Sequence, residues 1–373
     1  MVSGTSGTVV CRIPSQGGLV TRFRALTAGA AALAVLTALT ACGTTGGTGG
    51  STAAADQDIS VDVSTDLSGK RICFGFSGSE TEFWAAGIKS ISDSLSAANA
   101  TVIEHNSNED PNRQLEQVRD CITQGVDGII VIPEDGSSAN TIIKEANDAD
   151  IPIGIFNRPP ATEDGAAIIS VADNRDVAAQ TVQYLADEAT KLGRPVQPLI
   201  MVGNLSDQNA VERRNGFYEI VDANPDLFLT PIEVQTNWDA ATGQANLQAA
   251  MQANPNVDVL FTSSDFLFPQ IQAVLEPLGK WKAVGEEGHV IMGGLDGDNR
   301  ACGLIETGYV DATGVQDLFS EASALLDALG TAIQDGDSKP DQTIVDPGFA
   351  LTAANFGDRS EDMWGCVITP PAS

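Results

Sequence analysis

Polar residues of several chemical kinds recur in one setting along this chain, directly after a short apolar run. Ser77 follows RICFGF, Asn157 and Arg158 follow IPIGIF, Asp173 and Asn174 follow IISVA, Asp265 follows DVLFTSS, and Asp296 ends HVIMGGLD. A hydroxyl, an amide, a guanidinium and carboxylates gathered in one place can hydrogen-bond ligand hydroxyls from both sides, some of them in bidentate fashion. Taken singly, each Ser, Asp or Asn reads more readily as a strand-end turn or a helix cap than as a ligand residue. Arg158 stands before two prolines and caps nothing, and the repetition at equivalent ends points to a binding crevice. Covalent and metal chemistry have no matching signature. The chain carries no G-x-S-x-G, no H-E-x-x-H and no G-x-x-x-x-G-K-[ST]. Asp296-Gly297-Asp298-Asn299 opens like a calcium loop but lacks the later ligands and the terminal glutamate. With only His105 and His289 and no C-x-x-C pair, a thiolate–imidazole zinc site is not expected. Neither a cofactor nor a metal is expected.

The elements that must position these residues are written in the alternation of short apolar and longer amphipathic runs. From Arg71 the chain reads RICFGFS, a helical stretch, TVIEH, PNRQLEQVRDCITQG, VDGIIVIP, SANTIIKEANDAD and IPIGIFN. A second set, AAIISVA, PLIMVG, DVLFTSS and HVIMGGLD, again has helical patterns between its members. Strands alternating with helices of that length give an α/β fold with parallel sheets covered by helices on both faces. Two Rossmann-like, doubly wound lobes are therefore expected, with a boundary near Ala172–Asn174. Sheets of this kind bind ligands in the crevice beyond the carboxyl ends of their strands, where the polar residues lie.

Composition narrows the partners. Arg12, Arg22 and Arg24 precede an apolar run from Ala25 to Ala41 with no acidic residue before Cys42, the layout of an export signal too short and alanine-rich to favour a permanent span. Removing residues 1–41 takes away three arginines and no acid, which moves the formal charge from −30 to −33. Such a chain does not bind nucleic acid, nor anionic lipid through a basic patch. Residues 43–68 are rich in Gly, Thr, Ser, Ala and Asp and read as a flexible linker, so 42–69 is expected to tether a folded body. Once Cys11 and Cys42 are set aside, Cys73, Cys121, Cys302 and Cys366 remain. In an oxidising compartment an even count permits two bridges, the alternative being four free buried thiols.

The four residues Leu39, Thr40, Ala41 and Cys42 resemble the bacterial lipobox. This resemblance implies that Cys42 is lipidated, becomes the first mature residue and anchors the protein at the outer face of the cell membrane. From about Lys70 to Asp335 the chain resembles the ribose, xylose and galactose type of periplasmic sugar-binding proteins, the type 1 solute-binding components of ABC importers. The stretches that carry the likeness are RICFGFSGSETEFWAAG, QVRDCITQGVDGIIVIPEDG, IPIGIFNRP, ADNRDVAAQ, ERRNGF and GGLDGDNRACGLIETGYVDATGVQD. The resemblance implies lobes of 70–172 plus about 317–342 and of 173–316 plus about 343–373. It implies a monomer that closes on a monosaccharide or polyol and delivers it to a membrane permease. The alternatives are a sensor that hands its ligand to a membrane receptor, or a hydrolase on the same scaffold. Carried over position by position, the family pocket implies Ser77, Phe83, Trp84, Asn157 and Arg158 from one lobe and Arg213, Trp238, Asp296 and Gln316 from the other. With Asp173 and Asp265 from their strand ends, these form the candidate ligand set. Aromatic rings cover the apolar faces of a sugar while Asp, Asn, Gln and Arg bind its hydroxyls. Four departures stand out: Ile132 before Pro133, Ser264 and Thr81 where asparagines are usual, and Asn157 where an aspartate is usual. Each weakens or removes a hydroxyl contact, which argues against ribose itself. In a sheet ordered 2-1-3 the helix carrying Cys121 must cross strand one, which carries Cys73, so these two cysteines face each other. Cys302 is left to pair with Cys366.

Overall fold

The computed structural model describes residues 57–368; the signal segment 1–41, Cys11, Cys42 and the start of the linker lie outside them. The described chain runs β1 (Arg71–Phe76), α1 (Glu82–Ala97), β2 (Thr101–Asn106), α2 (Pro111–Thr123), β3 (Gly128–Ile132), α3 (Gly136–Asp148), β4 (Ile153–Phe156) and β5 (Ile168–Ala172). It continues with α4 (Asn174–Thr190), β6 (Pro198–Val202), α5 (Gln208–Ala223), β7 (Ile232–Gln235), α6 (Ala240–Ala253) and β8 (Val259–Thr262). A 3-10 turn at Asp265–Leu267, α7 (Phe268–Leu275), β9 (Ile291–Asp296), α8 (Asn299–Glu306) and β10 (Ala312–Val315) come next. The last elements are α9 (Leu318–Asp335), β11 (Gln342–Asp346), β12 (Phe349–Thr352) and the single turns α10 (Phe356–Arg359) and α11 (Trp364–Val367).

Two six-stranded sheets result, ordered β2-β1-β3-β4-β5-β11 and β7-β6-β8-β9-β10-β12. All pairings are parallel except that of β12, which runs antiparallel to β10. Central strands such as GIIVI and PLIMV are buried along their whole length because helices cover both faces. Aspartate sets the strand-to-helix turns. Asp110, Asp135, Asp173, Asp207, Asp239, Asp298 and Asp317 each accept a backbone N–H from the first turn of the following helix. Seven of the 50 acidic residues of the chain thus serve to start helices beyond the carboxyl ends of strands.

The chain passes between the lobes three times: from β5 to α4, from β10 to α9, and from β11 to β12. The third passage falls at 347–348 rather than at 342–343, because β11 completes the first sheet beside β5 before the chain leaves. Asp346 ties the three passages together. Its carbonyl accepts from the Asp173 amide at 2.8 Å and its carboxylate from the Asp317 amide at 3.0 Å.

The described part of the linker is docked, not free. Ile59, Val61, Val63, Thr65 and Leu67 turn inward in alternation; Leu67 is 2% exposed. The Val61 amide donates to Ser94 Oγ at 2.8 Å, and Ser64 donates to Asp327 on α9. A period of two, hidden in a Ser-, Thr- and Asp-rich composition, was enough to lay this segment against α1 and α9. Both bridges are present, Cys73–Cys121 between β1 and α2 and Cys302–Cys366 between α8 and α11. In the chain-entropy description a loop of 48 residues, as in the first bridge, is worth about 4 kcal/mol.

One ionisable pair fastens the far end of the second sheet. His289 Nε2 lies 2.9 Å from Asp311 Oδ2 and Nδ1 lies 2.7 Å from the Lys282 carbonyl, so both ring nitrogens face acceptors. Burial pulls the imidazole pKa down, but the Asp311 hydrogen bond and charge, the Lys282 carbonyl and Glu286 outweigh it and the net shift is upward. A group whose folded pKa is raised stabilises fully below its unfolded value, about 6.5, and loses that contribution as pH rises through the folded value. The unfolding free energy of wild type minus that of His289→Asn should therefore be largest near pH 5.5 and shrink above pH 6.5. Urea titrations across that range check this; a difference that is flat or grows with pH would contradict it.

Candidate ligand-binding cleft

The carboxyl ends of both sheets open onto one cavity of about 380 Å³. Among the described residues its wall includes Ser77, Phe83, Trp84, Asn157, Arg158, Arg213, Trp238, Asp296 and Gln316, the whole set implied by the family pocket.

The second-lobe wall is built around Asp296, the last residue of β9. Its Oδ1 accepts from Arg213 Nη1 at 2.8 Å and from Gln316 Nε2 at 2.8 Å, and its Oδ2 accepts from Ser264 Oγ. Arg213, on α5, is fixed in turn by Asn174 Oδ1 at 2.7 Å and the Ser263 carbonyl at 2.7 Å. Both partners are almost fully buried. Burial pushes the Asp296 carboxyl up, while Arg213 and the three hydrogen bonds oppose that rise.

On the first-lobe side, Arg158 Nη1 donates to the carbonyls of Pro133 and Glu134 at 3.2 and 3.0 Å, and its guanidinium carbon lies 4.9 Å from the centre of the Trp84 ring. Its Nε stands 3.1 Å from Asp207 Oδ2 on the opposite lobe, an ion pair in which the N–H is not aligned with the oxygen. The same Asp207 oxygen accepts from Trp238 Nε1 at 3.1 Å. A second link between the lobes runs from Asn209 Nδ2 to Asn157, whose carbonyl and Oδ1 both accept at 3.0 Å. Asn157 Nδ2 donates to Gln316 Oε1 at 2.9 Å and to Glu321 Oε2 at 3.0 Å. Glu321 is fully buried and its pKa is raised well above the ordinary range by that burial. The amide at 157 donates to this carboxyl, which an ionised aspartate there would oppose.

Backbone strain concentrates here. Asn157, Asn237, Trp238 and Asp296 have φ of 63, 53, 60 and 135°. Non-glycine residues rarely adopt such angles, and they persist only where the surroundings enforce them. The Trp238 ring lies against Gly203: a Cβ there would stand 2.2 Å from it, so glycine alone leaves the ring its seat beside β6.

Two expected ligand residues lie elsewhere. Asp173 is exposed, and its carboxylate caps α4 through the Asp176 amide at 3.1 Å. It sits at a passage between the lobes, where the chain turns away from the cleft. Asp265 is fully buried beneath the wall, where Oδ2 accepts the Gly297 and Asp298 amides at 2.8 and 3.3 Å and both oxygens lie 2.8 Å from Thr313 Oγ1. Burial, with the Asp296 charge nearby, pushes its pKa up to about 7. It supports the turn after Asp296 and does not line the cavity.

Sequence reasoning missed Asp207, Asn209, Asn204 and Glu134, all of which line the cavity. A signal existed for the loop after β6, because the run PLIMVG is followed by Asn204 and Asp207 just as the other runs are by polar residues. Glu134 stands two residues beyond Ile132, so a carboxylate lines the cleft just after that apolar strand end. Burial raises the Glu134 pKa, the Arg158 charge opposes this, and Glu109 and Asp135 add to it.

Residues 72–338 match the sequence profile of the periplasmic binding protein domain. The chain is 27% identical over 277 residues to a xylitol-binding protein of Mycolicibacterium smegmatis, covering 73% of this chain and 74% of that one. It is 23% identical over 249 residues to a D-apiose import binding protein of Actinobacillus succinogenes, covering 66% and 76%. Among solved structures, an ABC transporter solute-binding protein of Bacillus halodurans with bound myo-inositol superposes with a TM-score of 0.67 at 23% identity, covering 79% of this chain and 99% of that chain. That likeness shows the fold.

Proposed function

We infer, from the premise that this chain belongs to the periplasmic binding protein family and binds a solute rather than transforming one, that its solute is a small neutral polyhydroxylated molecule, a monosaccharide or polyol. The observation that carries the inference is the pairing of charge in the wall. Both guanidiniums of the cavity are already matched by carboxylates of the protein, Arg158 by Asp207 and Arg213 by Asp296. Glu80, Glu109, Glu134 and Asp239 add negative charge around them. An anionic ligand would either add charge to arginines that are already balanced or displace a buried carboxylate from its arginine, the latter at a cost of several kcal/mol. Hydroxyl groups make no such demand. The volume, near the lower end of the roughly 300–1,000 Å³ of small-molecule pockets, suits one ring or a short polyol. Trp84 and Trp238 place aromatic rings in the wall from opposite lobes, surfaces against which a sugar or polyol packs. Binding that engages both lobes draws the population toward the closed form, and the closed form would deliver its ligand to an ABC permease.

The family places the protein outside the cytoplasm, and no helix among the described residues is long and apolar enough to cross a membrane. Attachment would be through lipid on Cys42, a reading that the sequence L-T-A-C after an apolar run supports. Intact-mass measurement of membrane-extracted protein checks this: wild type should carry the added lipid mass and Cys42→Ala should not. An unmodified Cys42 thiol would refute the anchor.

A thermal-shift screen over sugars, polyols, nucleosides, amino acids and organic acids tests the ligand class, because a ligand that binds only the native state raises the melting temperature. The large shift should come from a sugar or polyol and should vanish in Asp296→Asn, which removes the charged acceptor while keeping its shape. One large shift from a nucleoside, an amino acid or an organic anion, with none from any sugar or polyol, would overturn the ligand class.

A further inference from the structure

The profile of the family ends at residue 338, and the chain continues past both sheets into the segment 353–368. This segment carries Trp364, which is 2% exposed although its helix is a single turn. The indole Nε1 donates to the backbone carbonyl of Asp296 at 2.8 Å. Its ring stands edge-on to Phe83, with centroids 5.8 Å apart at 69°. Phe83 belongs to α1 of the other lobe, lines the cavity, and is itself edge-on to Trp84, on whose face Arg158 lies. One tryptophan therefore touches the ligand-facing turn of the second lobe and an aromatic wall residue of the first.

The seat is built for it. The Gly365 amide donates to the Gly297 carbonyl at 3.1 Å, and Asn299 Nδ2 donates to the Gly365 carbonyl at 2.9 Å. A Cβ at Gly365 would stand 2.3 Å from that Gly297 oxygen, so the approach requires glycine. The bridge Cys302–Cys366 fixes the turn to α8. At the same spot the Asn299 amide donates across the lobes to Glu82 Oε2 at 3.1 Å.

We propose that Trp364 is a positioning residue for ligand retention. It holds the strained Asp296–Gly297 turn in place through its N–H, and it seats on Phe83 across the lobes, so that the C-terminal segment forms part of the closing surface and the Cys302–Cys366 bridge keeps it there. This rests on the reading that the lobes close on a ligand in this cleft. Its mark is slower release, because a contact made on closure acts on dissociation more than on encounter.

The test compares wild type with Trp364→Phe, which keeps a ring against Phe83 but loses the N–H, with Trp364→Ala, and with the double variant Cys302→Ser/Cys366→Ser. Stopped-flow kinetics would use xylitol, D-ribose and myo-inositol as probes, and amide hydrogen exchange would follow Gly297 and Asp298 in the ligand-free protein. Both amides are normally held by Asp265. Trp364→Phe should release the bound probe about tenfold faster, the size of one lost hydrogen bond, with association changed less than about threefold. Trp364→Ala and the double serine variant should release it faster still. Exchange at Gly297 and Asp298 should quicken in all three, while α2 and α3 of the first lobe stay as in wild type. A role in stability alone would lower the melting temperature and leave release unchanged, and that result would overturn the proposal. If none of the three probes binds wild type, exchange alone decides: unaltered protection at Gly297 and Asp298 in Trp364→Phe refutes the positioning role, and selective loss there supports it.

Discussion

A carboxylate at the end of a buried strand persists in the wall of a cleft only if donors converge on it, and Asp296 meets that constraint with Arg213, Gln316 and Ser264. Two of these donors are themselves anchored. Arg213 leans on Asn174 and the Ser263 carbonyl, and Gln316 is bound by Asn157. Asn157 in turn is gripped from across the cleft by Asn209. Satisfying one charge thus fixes residues on or just beyond β4, α4, α5, β8 and β10, drawn from both lobes. The site is a polar network whose members satisfy one another, the condition under which buried polar groups confer order.

The same network explains how the two sheets act together. The three passages between lobes are short and are joined by Asp346, whose carboxyl burial pushes upward in pKa. Positive φ at Asn157, beside one passage, and at Asp296, Asn237 and Trp238 across the cleft, places strain where the wall must hold its shape. The further tryptophan anchor, Trp364, comes from outside both sheets, and its single turn is held by a bridge because four residues of helix cannot hold themselves.

The alternation of apolar runs revealed the lobes, and the right-handed crossover placed Cys121 opposite Cys73, because both follow from local periodicity and chain handedness. The strand-end rule found Ser77, Asn157, Arg158 and Asp296 but could not rank its own aspartates. Asp173, Asp207 and Asp298 all cap helices after strands, and only the three-dimensional path tells that Asp207 also reaches Arg158 and Trp238 while Asp173 turns to solvent. Asp265 shares the position of a ligand residue yet points beneath the wall, a matter of side-chain direction that spacing does not encode. In the linker, composition concealed a pattern: Ile59, Val61, Val63 and Leu67 alternate as a strand does, but the Ser, Asp and Thr between them make the stretch read as polar throughout. Trp364 had no local signal, since its partners lie 68 residues before it, at Asp296, and in the opposite lobe, at Phe83.

The central claim is that the protein's own carboxylates neutralise the cations of the cleft, so that the site takes a polyol and rejects its acid. Isothermal titration calorimetry of an aldose that the protein binds against the matching uronate, identical except for one carboxylate, reads that claim directly. The aldose should bind at least about a hundredfold more tightly, a difference of about 2.7 kcal/mol. A uronate that bound as tightly as the aldose, or more so, would show that Arg158 or Arg213 is free to take an anion and would contradict the account.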